Sequence, residues 1–158
     1  MSFKKFALVA SVFALAACGG KAESAPAEET AAAPAVETAP AAAAAVTGTT
    51  HEIKMLGDDK GYRFEPANLT VKAGDAVKFV FVSGGPHNVA FEGATLSADV
   101  VKQLDANFSA KMAPLSSNMM LNAGESATVS FAGIPAGKYP YNCTPHLAMN
   151  MRGVITVE

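Results

Sequence analysis

The stretch Tyr139-Pro140-Tyr141-Asn142-Cys143-Thr144-Pro145-His146-Leu147-Ala148-Met149-Asn150-Met151 decides how this chain is read. It places a thiol, an imidazole and a thioether within nine residues, between the last two strands. A thiolate is a soft donor and a neutral imidazole a borderline one. A thioether is a weak donor that suits copper as a long axial ligand and has little reason to bind zinc. Cys143, His146 and Met151 therefore form a candidate metal loop, with Met149 as a rival to Met151.

One loop supplies one imidazole, so a second must come from elsewhere. The chain has three histidines, and the others are His51 and His87. His87 follows Ser83-Gly84-Gly85-Pro86 directly after a strand. Pro86 fixes its own φ and gives His87 a rigid approach. His51 sits where the first strand begins and reads as a surface residue. Two His, one Cys and one Met select copper by ligand type.

Working outward, the pattern is mostly period two. Val77, Phe79 and Phe81 share one face, as do Ala127, Val129 and Phe131, and Ile155 and Val157. Leu69-Thr70-Val71-Lys72 alternates and runs into the turn signal Ala73-Gly74-Asp75. Short strands between Gly and Pro turns predict an all-β fold, an antiparallel sandwich or barrel. Residues 97–110 break the pattern. Val100, Val101, Leu104 and Phe108 recur at helical spacing, with Ser97 as cap and Asp99 in the first turn. This predicts one short helix.

The N-terminal part reads differently. Lys4 and Lys5 precede the apolar run Phe6 to Ala17, which is too short to span a bilayer as a helix. The run ends Leu15-Ala16-Ala17-Cys18, which resembles a bacterial lipobox. That resemblance implies a signal peptide over 1–17 and a lipidated Cys18. Residues 18–50 are rich in Ala, Pro, Glu and Thr and lack the apolar bulk to fold. They read as a disordered tether reaching roughly 30 Å as a coil. Residues 51–158 form the folded domain. The expected product is exported and lipid-anchored to a bacterial membrane, with its domain in the periplasm or extracellular space.

The lipobox also bears on the thiols. There are two cysteines. Acylation of Cys18 leaves Cys143 as a lone thiol in an oxidising compartment, either buried and inert or bound to something. A formal net charge of −2 offers no basic footprint for nucleic acid.

The loop around Cys143, with two residues to His146 and four more to Met151, resembles the plastocyanin ligand loop of the cupredoxins. Gly84-Gly85-Pro86-His87-Asn88 resembles the first-ligand segment of that family. Gly61-Tyr62-Arg63-Phe64-Glu65-Pro66 and the stretch Leu69 to Asp75 resemble its first strands. The likeness covers nearly all of residues 52–158. It implies a Greek-key sandwich and one type I copper ion on His87, Cys143, His146 and Met151. It implies that Asn88 ties the two ligand loops together and that His146 is the solvent-edge ligand. Tyr62, Gly84, Gly85, Pro86, Pro145, Ala148 and Met149 match the apolar patch through which partners dock.

The resemblance further implies a monomeric one-electron carrier cycling Cu(I)/Cu(II). Its partners would be redox proteins such as a cytochrome, a membrane oxidoreductase or a reaction centre. The alternative is a periplasmic copper-binding or delivery protein. No open coordination position remains for a substrate, so no catalysis is expected. Three histidines are too few for the further centres of copper enzymes. One departure stands out: the family's Tyr before the ligand Cys is Asn142 here.

Overall fold

The computed structural model describes residues 44–158. The lipobox with Cys18 and most of the tether lie outside the described residues. Ten strands and one α-helix follow in order. They are β1 (Thr50–Asp58), β2 (Gly61–Glu65), β3 (Asn68–Val71), β4 (Ala76–Phe81), β5 (Ala90–Phe91), α1 (Ala98–Ala106), β6 (Lys111–Ala113), β7 (Ser116–Ser117), β8 (Ser126–Ser130), β9 (Gly137–Asn142) and β10 (Arg152–Val157). Short 3-10 helices occupy Gly93–Thr95 and Thr144–Met149.

The strands form two sheets, ordered β2-β1-β4-β8 and β3-β10-β9-β5-β7-β6. The alternating residues face inward as the period-two pattern requires. Ile53, Met55, Val77, Phe79, Val129, Phe131 and Ile155 are fully buried. Burying each such side chain contributes about 1.5–3 kcal/mol. Phe64, Phe79 and Tyr141 meet edge to face at the centre, with centroids 4.7–6.1 Å apart. Each sheet also contains one parallel pair, β1 with β4 and β10 with β3. The chain produces them by crossing to the second sheet for β3 and returning for β4.

The helix is shorter than the predicted 97–110 span. Ser97 caps it, accepting from Val100 N, and Asp99 lies in its first turn. It ends at Ala106 because Asn107 is recruited elsewhere. The Asn107 amide donates to the carbonyls of Ser130 and Ala132 at 2.8 and 2.9 Å. Phe108 therefore leaves the helix and enters the core through a bridge to Val129.

Packing onto the domain starts before residue 51. Thr47 and Gly48 donate to Gly74 O at 3.0 and 2.9 Å, and Thr49 N donates to Asp75 Oδ1 at 2.8 Å. Residues 47–49 are thus fixed to the fold rather than belonging to the tether. The close approach depends on Gly48, where a Cβ would lie 2.1 Å from Asp75 Oδ1. Asp75 gathers further contacts: its Oδ2 accepts from Lys72 N and from His51 Nε2, both at 2.9 Å. His51, read as a surface residue, is half-buried in this clasp. From here β1 runs about 23 Å, Thr50 to Gly57, to the opposite end of the sandwich.

Candidate metal centre

That opposite end collects the predicted ligands. His87 follows β4, and its main chain is locked to Met120 by a reciprocal pair of hydrogen bonds of 3.0 and 2.8 Å. Cys143 leaves the end of β9, and Cys143 N donates to Met151 O at 3.1 Å, closing the loop at its base. Between them, Thr144–Met149 coils as a 3-10 helix with Pro145 in its first turn. Asn150 takes a left-handed conformation, φ 61°, and turns the chain into β10.

His87, Cys143 and His146 present one donor atom each, all within 4.8 Å of one another and all buried. Cys143 Sγ lies 3.5 Å from His87 Nδ1 and 3.4 Å from His146 Nδ1. The donor set and spacing fit a metal ion. Bonds of about 2.0–2.3 Å at angles between tetrahedral and trigonal leave donors about 3.5–3.7 Å apart. Met151 is fully buried beside the loop base, whereas Met149 is 56% exposed. Burial thus favours Met151 over its rival as the fourth donor.

The surroundings set the protonation of each donor. His87 Nε2 donates to Ser83 O at 2.9 Å, which leaves Nδ1 as the bare nitrogen facing the sulfur. Burial lowers the pKa of His87 and of His146, and a proton on His87 would lower that of His146 further. Both rings are thus held neutral, the form that binds metal. Burial pushes the Cys143 thiol up, so the free thiol keeps its proton until a cation displaces it.

Asn88 joins the two ligand segments. Its Oδ1 accepts from Thr144 N at 2.8 Å, and its Nδ2 donates to Thr144 Oγ1 and Ser116 Oγ. Ser83, Ser116 and Thr144 escaped the sequence reading. Each acts through a backbone carbonyl or a small hydroxyl, which leaves no pattern in a sequence.

The residues of the apolar patch divide by exposure. Gly85, Pro86, Pro145, Ala148 and Met149 are exposed, and Gly84 is half-buried. Leu147, absent from the predicted patch, joins them at 38% exposure. Tyr62 is half-buried and its ring stacks on His146 at 3.7 Å between centroids and 18° between planes. His146 itself is 5% exposed. Asn142 donates to Glu92 at 3.4 Å, and Glu92 pairs with Arg152 at 2.5 Å. The position of the absent tyrosine is therefore spanned by a polar bridge.

Comparison with known proteins agrees with this geometry. The family described as copper binding proteins, plastocyanin/azurin family, matches residues 51–158. Plastocyanin of Nostoc punctiforme is 37% identical over 119 residues, 72% of this chain and 78% of the relative. Chloroplastic plastocyanin of Tetradesmus obliquus is 36% identical over 72% of this chain and 71% of its own length. Among solved structures, oxidised plastocyanin from Dryopteris crassirhizoma superposes with a TM-score of 0.53 at 28% identity. It covers 68% of this chain and all of its own. A cupredoxin sandwich with a His, Cys, His and Met donor set, matched over its whole folded domain, belongs to the plastocyanin/azurin family of copper-binding proteins.

Proposed function

We propose that this protein is a one-electron carrier whose copper is held by His87, Cys143, His146 and Met151. The observation that carries the reading is the trio of buried donor atoms within 4.8 Å, two imidazole nitrogens and one thiol sulfur. Copper, when bound, supplies a Cu(I)/Cu(II) couple, and soft sulfur with borderline nitrogen suits both states.

The chain's own residues do the rest. The reciprocal His87–Met120 bonds and the Cys143–Met151 bond anchor both ligand segments to the sandwich. Asn88 fixes one segment against the other. Ser83 O sets the tautomer of His87. Donors held this firmly move little when the charge at the site changes, which keeps reorganisation small. Burial of all three donor groups excludes water from the site. No free position is left for a substrate, which favours a carrier over an enzyme. The exposed apolar rim of Pro86, Pro145, Leu147, Ala148 and Met149 suits brief docking to redox protein partners.

The export signal and Cys18 support a lipid-anchored protein working in the periplasm or at the cell surface. Metabolic labelling with a radioactive fatty acid tests this: label on the parent and none on Cys18→Ser is expected. For the site, Cu(II) is added to the purified chain. An intense blue band, lost in Cys143→Ser, is expected. A colourless protein, or one preferring zinc, overturns the reading. Ready loss of copper to an acceptor protein, without reversible reduction, points to a delivery role instead.

A further inference from the structure

We infer that Met112 and Met119 form a second copper site, a surface station that holds Cu(I) before it reaches the buried ligands. The inference goes beyond the carrier reading and does not need it, because capture at the surface can be read separately from electron transfer.

Methionine ordinarily fills gaps in a core. Met55, Met120 and Met151 do so here and are buried. Met112 is 59% exposed, and Met119 is half-buried. Packing therefore accounts for the first three and leaves two thioethers at the surface. The backbone turns Met112 outward. It falls at the register shift between the β6–β7 pairs Lys111–Ser117 and Ala113–Ser116, and an extra residue in a ladder has its side chain re-aimed. Met119 follows β7 by two positions and precedes Met120, whose main chain is locked to His87.

The two methionines line one surface cavity of about 360 Å³. Asn88, Ser116 and Thr144 line it as well, but their side chains are spent on one another. Asn88 Nδ2 donates to Ser116 Oγ at 3.0 Å and to Thr144 Oγ1 at 3.2 Å. Among the described residues lining the cavity there is no carboxylate, imidazole or thiol. What remains for a ligand is a pair of soft, neutral sulfurs in apolar surroundings. Such a pair suits Cu(I) and gives zinc, magnesium or calcium nothing to hold.

The cavity also borders the buried centre. Asn88 is the next residue after His87, and Thr144 is the next after Cys143. Its inner wall thus belongs to the two segments that carry the ligands. The ion stays Cu(I) throughout, so no electron is exchanged. Two thioethers bind it without losing a proton, and on arrival at the centre it displaces the Cys143 proton to solvent.

The test uses the full chain with carbon-13 methionine methyls, loaded anaerobically with one equivalent of Cu(I). A second equivalent should shift the Met112 and Met119 methyl signals and spare that of Met149. Met149 is 56% exposed and controls for chance binding to any accessible thioether. Met151 reports on the buried centre. Zn(II) should shift neither Met112 nor Met119.

Met112→Leu and Met119→Leu keep the size and apolar character of the side chain and remove its sulfur. Either should abolish the shift caused by the second equivalent and slow loading of the apo protein from a Cu(I) chelate severalfold. The final copper content of the buried centre should match the parent. An equal shift at Met149, or no shift at Met112 and Met119, overturns the site. Loading as fast as the parent in both variants overturns its role as a station. A Met151 signal that ignores added Cu(I) overturns the carrier reading, while the Met112 and Met119 signals still judge the surface site.

Discussion

Asn88 and Thr144, fifty-six positions apart, are joined twice: Thr144 N donates to Asn88 Oδ1 at 2.8 Å, and Asn88 Nδ2 donates to Thr144 Oγ1 at 3.2 Å. The pair spans the gap between the segment bearing His87 and the loop bearing the other ligands. Asn88→Ala leaves Thr144 N without its partner next to a buried site. A loss of about 1–3 kcal/mol is expected in urea unfolding. The copper band should broaden at the same time, because the two segments are no longer held at one spacing.

Met149 and Met151 should respond differently to the same change. Met149→Leu alters an exposed side chain and should leave both the spectrum and the stability unchanged. Met151→Leu conserves volume in a fully buried position and should cost less than about 1.5 kcal/mol. Its copper band and reduction potential should nevertheless shift. Equal spectral effects from both variants would contradict the assignment of Met151 as fourth donor.

Copper uptake should release a proton. Burial keeps the apo Cys143 thiol above its ordinary value, while both ligand histidines are held below theirs. Near neutral pH the thiol alone among these groups must deprotonate to bind. Affinity should therefore rise about tenfold per pH unit while the free thiol stays protonated. Titration of the apo protein in weak buffer, with a proton-sensitive dye, measures the release directly.

Asp75 gives the far end of the molecule its own pH dependence. Its carboxyl is lowered from 3.8 to about 2, chiefly by the Lys72 N–H, then by His51 and the Thr49 N–H. A depressed carboxylate contributes stability above its unfolded value and loses it as pH falls through the folded one. Asp75→Ala should unfold at lower urea than the parent at pH 7. The gap should narrow between about pH 4 and pH 2. A gap that stays constant across that window would mean the carboxylate charge contributes nothing.

Much of the site could be read from residue types and spacing. Cys143, His146 and Met151 lie in one loop, and His87 is marked by its Pro-His-Asn setting. Strand faces such as Val77, Phe79 and Phe81 followed from alternation, because burial on one side imposes period two. The parallel pairing of β1 with β4 was not legible, since it arises from crossovers between sheets rather than from local pattern. Nor was the end of the helix at Ala106. Asn107 is drawn off by the carbonyls of Ser130 and Ala132, which lie more than twenty residues away in sequence. The cover over His146 was missed for the same reason: a ring on β2 and a ligand on the final loop meet only in three dimensions.

The clasp of Thr47, Gly48 and Thr49 onto Gly74 and Asp75 gives the molecule a bow and a stern. Whatever precedes Ala44 must join at the stern, and the Tyr62–His146 face is the bow. Under the proposed lipid anchoring, a cable moored there leaves the working face pointing outward however short it is cut. Shortening it should restrict how far the carrier can travel before it restricts which way it can look.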